Sequence, residues 1–94
     1  MANKSPRSYL VAYDITDEKR LARVHKLMTG WGAPLQYSVF RCELSPSDKK
    51  QLISQLYHQM DNKADDIRIY ALTMGAPILW LGQQPLPEGV MLLE

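Results

Sequence analysis

Ninety-four residues, 46% of them hydrophobic and 22% charged, suffice for one small domain and exclude a second folded unit, a disordered chain or a collagen-like repeat. A net charge of +1 argues against a protein that holds polyanions by bulk charge alone. One cysteine, Cys42, excludes an intrachain disulfide and a cysteine-based zinc site, and it reads as a small buried hydrophobe in a reducing compartment.

The polar start MANKSPRS has no apolar run behind it long enough for a signal peptide, and no segment approaches a membrane span. A cytoplasmic protein with no membrane partner is expected. Tyr9 to Ile15 is rich in β-formers, too short for a helix and apolar on both faces except at Asp14, so it predicts a central strand. Thr16 or Asp17 then caps a helix in which Leu21, Val24, Leu27 and Met28 recur at helical spacing, and Gly30 ends it. Its outer side carries Lys19, Arg23 and Lys26 at i, i+4 and i+7, with Arg20 beside them, a basic stripe or simply a solvated face. Between Lys4 and Arg41 there are seven cations against three anions, and the rest of the chain has four against seven, so the positive field belongs to the first half.

Leu35 to Leu44 predicts a second, long strand, with Pro34 admissible at its beginning. Ser45, Pro46 and Asp48 spell a helix start with a capping box, followed by an apolar face of Leu52, Ile53, Leu56, Tyr57 and Met60, and Asn62 can close the helix in a left-handed conformation. Asp66 to Leu72 and Ile78 to Leu81 predict two more strands around a turn marked by Gly75 and Pro77. The sum is a single α+β domain over 1–94, with a core at about 9–81 and an extension at 82–94. Its simplest form is a ferredoxin-like βαββαβ sandwich with an antiparallel sheet and both helices on one face. The apolar tail Val90 to Leu93 needs a partner edge. It either adds a strand to a second copy, giving a homodimer with exchanged C-terminal strands, or pads its own sheet.

Phosphate loops, paired histidines at i and i+4, and nucleophile elbows are absent, and His25 and His58 read as surface or flank residues. Asp14 stands out, because a carboxylate in an apolar strand is costly unless it is paired, hydrogen-bonded, at the strand tip or holding a metal. It either forms the turn into the helix or is a Mg²⁺ ligand, since that ion takes oxygen ligands and usually one or two carboxylates. Two Asp14 side chains meeting at a two-fold axis would supply two carboxylates to one ion, which could activate a water and stabilise a phosphodiester under in-line attack. Tyr13 points to the opposite face from Asp14. Ser38 offers a hydroxyl that could orient water or phosphate. Arg20 and Arg23 could bind phosphate, and Phe40 or Tyr37 could stack on a base, with core packing the plainer role for both rings.

The stretch YLVAYDITD at 9–17, with Arg20 and Arg23, followed by QYSVF at 36–40 and then a capped helix, resembles the CRISPR-associated protein family Cas2. The resemblance runs from about Tyr9 to Leu81. It implies a ferredoxin-like homodimer, a metal-dependent endonuclease acting on RNA or DNA, and a role with the Cas1 integrase in capturing spacers for antiviral defence. It places the metal-binding aspartate at Asp14 and associates Tyr13, Arg23, Ser38 and Phe40 with the site. The alternative it leaves open is a non-catalytic dimeric DNA-binding scaffold for the integrase.

Overall fold

The computed structural model describes residues 5–72, 78–79 and 91–92. The elements run β1 (Arg7–Asp14), α1 (Glu18–Thr29), β2 (Gly32–Gln36), β3 (Val39–Leu44), α2 (Pro46–Gln59), β4 (Asp66–Ala71), β5 (Ile78–Leu79) and β6 (Met91–Leu92). The first six make the expected βαββαβ unit, with sheet order β2-β3-β1-β4 and every pairing antiparallel.

Strand β1 is central because its alternation serves both faces. Tyr9, Val11 and Tyr13 join Val24 and Met28 of α1 and Leu52 and Leu56 of α2 in the main core, with Phe40, Cys42 and Leu44 of β3 completing it. Leu10 and Val39 lie on the opposite face with Ala12, Leu35, Tyr70 and Leu72 packed against them. Period two therefore sends Asp14 to the face away from the helices.

Two stretches differ from the sequence expectation. Leu35 to Leu44 is not one strand: β2 and β3 form a hairpin, Gln36 pairs with Val39 across Tyr37 and Ser38, and a register shift falls between Pro34 and Gln36. Helix α2 does start with the full capping box of Ser45 and Asp48, but it ends at Met60 in an extended conformation rather than at Asn62. Asp61 and Asp65 stop it, because the Asp65 carboxylate accepts from the Asp61 N–H (2.8 Å) and the Asp61 carboxylate from the Lys63 N–H (2.9 Å). Of the α2 face read as apolar, Leu52 and Leu56 are buried, whereas Ile53 and Tyr57 are 44% and 61% exposed.

Strand β6 pairs with β5 of its own chain, Ile78 opposite Leu92 and Leu79 opposite Met91, as a two-stranded ladder apart from the four-stranded sheet. The remainder of the tail and of the expected fourth strand lies outside the described residues. No helix among the described residues is long and apolar enough to cross a membrane.

Candidate nuclease site

Asp14 closes β1 at the tip of the sheet, exposed, directly opposite Asp66 of β4 in the antiparallel register. Residues in register share a face, so two carboxylates stand side by side, an arrangement that costs free energy without a compensating cation. Asp66 has one: Arg68 Nε donates to it at 2.8 Å. Among the described residues no group donates to the Asp14 carboxylate. An open carboxylate beside a second one is an all-oxygen donor set, which suits a hard divalent cation such as Mg²⁺. Among the described residues no cluster of three or more metal-ligating side chains is found, so the carboxylates at this tip are the pair Asp14 and Asp66.

Tyr13 faces the other way. Its hydroxyl donates to the Tyr37 carbonyl at 2.9 Å, and its backbone N–H donates to the Ser38 carbonyl at 3.1 Å. Burial, with Tyr37 adding to it, pushes the Tyr13 phenol well above its ordinary pKa. At neutral pH it is a hydrogen-bond donor and not a base. His25 Nδ1 lies 3.0 Å from the same Tyr37 carbonyl and 3.2 Å from the Tyr13 hydroxyl. The imidazole thus turns its Nδ1 edge toward the β2–β3 turn. The His25 ring also stacks on Tyr37, with centroids 4.1 Å apart, and meets Phe40 edge-on at 5.4 Å.

This cluster refines one reading and corrects another. His25, read as a surface or flank residue, is half-buried at the flank of α1 and ties that helix to the β2–β3 turn. Phe40, expected among the nucleic-acid contacts, is 0% exposed and belongs to the core; the exposed ring at this end is Tyr37, at 56%. Ser38 is half-buried in the turn, next to the strand that ends in Asp14.

On α1, Asp17 is the N-cap and accepts from the Arg20 N–H at 2.9 Å. Lys19, Arg23 and Lys26 are exposed and in no ion pair among the described residues. Arg20 departs from the stripe. Its Nε and Nη2 grip Asp65 at 2.7 and 3.0 Å, so the guanidinium is committed to a protein carboxylate rather than free for phosphate. Asp65, a residue the sequence reading passed over, also accepts from the Thr16 N–H and hydroxyl (2.9 and 3.1 Å), and its side chain is fully buried. Its carboxyl is held well below the usual carboxylate range, first by Arg20, against the cost of desolvation, with the Asp61 and Thr16 amides and the Thr16 hydroxyl adding to it. The sequence signal was the pair Asp65-Asp66 just before a strand, where one carboxylate must turn inward by period two.

The family model described as CRISPR associated protein Cas2 matches residues 7–76. A relative named CRISPR-associated endoribonuclease Cas2 2, from Thermodesulfovibrio yellowstonii, is 41% identical over 83 residues, which cover 87% of this chain and 91% of the relative. Another, CRISPR-associated endoribonuclease Cas2 1 of Nitrosomonas europaea, is 34% identical over 82 residues, 87% of this chain and 78% of the relative. Among solved structures, Streptococcus pyogenes Cas2 at pH 6.5 superposes with a TM-score of 0.68 at 36% identity, covering 72% of this chain and 88% of that one. A Thermus thermophilus protein, TT1823, described as hypothetical, gives 0.74 at 32% identity, covering 85% and 98%.

Proposed function

The chain belongs to the CRISPR-associated protein Cas2 family, and from that premise we propose that it is a Mg²⁺-dependent phosphodiester endonuclease of the spacer-acquisition machinery. It acts as a homodimer on RNA or DNA, in antiviral defence beside the Cas1 integrase. The observation that carries this reading is the open Asp14 carboxylate at the end of β1, on the face away from the helices and in register with Asp66. Asp14 would hold the ion, with the second copy's equivalent completing the set. When bound, the ion supplies a water of lowered pKa and neutralises charge that builds on the phosphoryl oxygens.

The remaining work falls to the chain's own groups. Tyr13 and His25 fix the Tyr37 carbonyl and thereby the turn that carries Ser38. Tyr13 is thus a positioning residue, and the Ser38 hydroxyl orients a water or a phosphate oxygen. Lys19, Arg23 and Lys26 attract the backbone, and their unpaired ammonium and guanidinium groups make binding salt-dependent.

Asp14→Asn removes a charge and keeps the volume. Cleavage of labelled RNA and DNA by the variant should fall about a hundredfold or more in Mg²⁺, toward the level wild type shows in EDTA. Unchanged cleavage would refute the assignment. A second reading is favoured by the placement of Tyr13, whose hydroxyl is turned to the helix side and away from Asp14. One chain then gathers few reactive groups at Asp14, and the dimer serves as a DNA-binding scaffold for the integrase. In that case Asp14→Asn supports spacer integration as well as wild type does.

A further inference from the structure

A second basic surface lies at the far end of β1. Seven residues of strand, at about 3.3 Å each, put Arg7 about 23 Å from Asp14, and the two residues point to opposite faces of the sheet. Here an open-sided groove of about 490 Å³ runs between the start of β1 and the first turns of α2. Its floor is Tyr9, Leu44 and Ile53, and its cations are Arg7, Lys49 and Lys50. Among the described residues no carboxylate lines it. None of the three cations is in an ion pair among the described residues, and Lys49 Nζ sits 4.9 Å above the Tyr9 ring.

This concentration of unneutralised charge is costly in isolation, because like charges around one apolar hollow repel. The basic stripe of α1 does not explain it, since no α1 residue contributes to the groove. Lys49 is partly satisfied by the ring beneath it. Arg7 and Lys50 are exposed and have no such partner.

The apolar part continues along the helix. Ile53 and Tyr57 are four residues apart on α2, on one side, with Ile53 partly and Tyr57 largely exposed. From Lys50 to Tyr57 is about 10 Å along the helix axis. Cations followed by an exposed ring at this spacing are the two parts of a single-strand binding track: charge follows the phosphates, and a ring offers its face to any base. A duplex, whose bases are stacked inside, has no use for the ring.

We propose that the Arg7–Lys50 groove and the Ile53–Tyr57 side of α2 together bind single-stranded nucleic acid, as a contact separate from the Asp14 end. Arg7 and Lys50 hold phosphates, and a base packs on Tyr57 with Ile53 beside it. The inference rests on the reading that this chain binds nucleic acid, and it specifies the strandedness of the ligand and the path it takes.

Fluorescence anisotropy with a labelled single-stranded RNA and a duplex of the same length, titrated with the full chain over a series of KCl concentrations, tests it. Arg7→Ala/Lys50→Ala should weaken single-strand binding and make the log–log salt slope shallower by about 1.4, two contacts at about 0.7 each. Tyr57→Ala should weaken single-strand binding about tenfold with the slope unchanged and leave duplex binding as it was. All three side chains are exposed, and the one contact given up is the exposed hydrogen bond from Asn62 to the Tyr57 hydroxyl at 3.3 Å, so the melting temperatures should stay close to wild type.

If wild type binds RNA with a steep slope and the charge variant reproduces that slope, the groove is not a nucleic-acid surface and the proposal is overturned while the proposed function stands. An acidic protein segment as the true occupant would give this same result. If Tyr57→Ala weakens duplex and single strand alike, the stacking track is refuted. Should wild type itself bind neither probe, the nucleic-acid reading fails, and this inference with it.

Discussion

Asp65 shows how one buried carboxylate can tie separate segments of a chain together. It collects Arg20, Thr16 and the Asp61 amide, so it joins the end of β1, the first turn of α1 and the loop after α2. Its folded pKa lies below the unfolded value, so its contribution is fully present above the unfolded pKa, about 4, and is lost as pH falls from there toward the folded value. Wild type should therefore lose melting temperature on acidification below about pH 4. Asp65→Asn should be less stable at neutral pH, and its profile should be flatter across the acid range, as read by thermal unfolding followed by circular dichroism. A variant that keeps the wild-type acid slope would mean that other carboxylates carry it. The same contact lies beyond what helix spacing can show for Arg20: i, i+3 and i+4 spacing tells which residues share a helix side, but not that a carboxylate 45 residues later in the chain reaches one of them.

Elements were legible where local chemistry decides them. The capping box at Ser45 and Asp48 is present in full, with Asp48 N–H to Ser45 Oγ at 3.1 Å and Ser45 N–H to the Asp48 carboxylate at 3.2 Å. Ser45→Ala should cost about 1 kcal/mol by chemical denaturation. The β2–β3 hairpin was illegible because Tyr37-Ser38 has none of the glycine or asparagine that usually marks a two-residue turn. Tertiary contacts make it instead: the Tyr37 and Ser38 carbonyls are held by Tyr13, and His25 closes on the first. The hairpin also needs Gly32. A Cβ there would sit 2.4 Å from the Arg41 carbonyl oxygen and 2.6 Å from Cys42 Sγ, both on the paired strand. The backbone partner cannot swing away, so Gly32→Ala should destabilise by about 1–3 kcal/mol, measured as a lower urea midpoint. A neutral result would mean that β2 stands off from β3 more than its pairing implies. Cys42 itself met the expectation of a buried thiol, and burial, with Glu43 nearby, pushes its pKa up to about 11.

At the scale of the whole molecule, the Asp14 face poses a problem that a second copy would solve. Leu10, Ala12, Leu35, Val39, Tyr70 and Leu72 gather on it, and Asp14 lies at one end. Leu10 and Val39 are already buried within the chain, so what a partner can cover is the half-buried rim of Ala12, Leu35, Tyr70 and Leu72. If two such faces meet about a two-fold axis that runs along β1, the rims cover each other and the two Asp14 carboxylates come to the same end. Their repulsion opposes association unless a cation sits between them. Metal binding and dimerisation are then linked, and linkage is reciprocal: an ion bound more tightly by the dimer must tighten the dimer by the same factor. Analytical ultracentrifugation in EDTA and in Mg²⁺ should give a tighter wild-type dimer with the ion present. Asp14→Asn should dimerise in EDTA at least as tightly as wild type does, since the repulsion is gone, and should ignore Mg²⁺. A wild-type dissociation constant indifferent to Mg²⁺ would separate the two phenomena. Asp14 would then have to hold its ion with Asp66 alone, and the hydrolytic site would be confined to one chain.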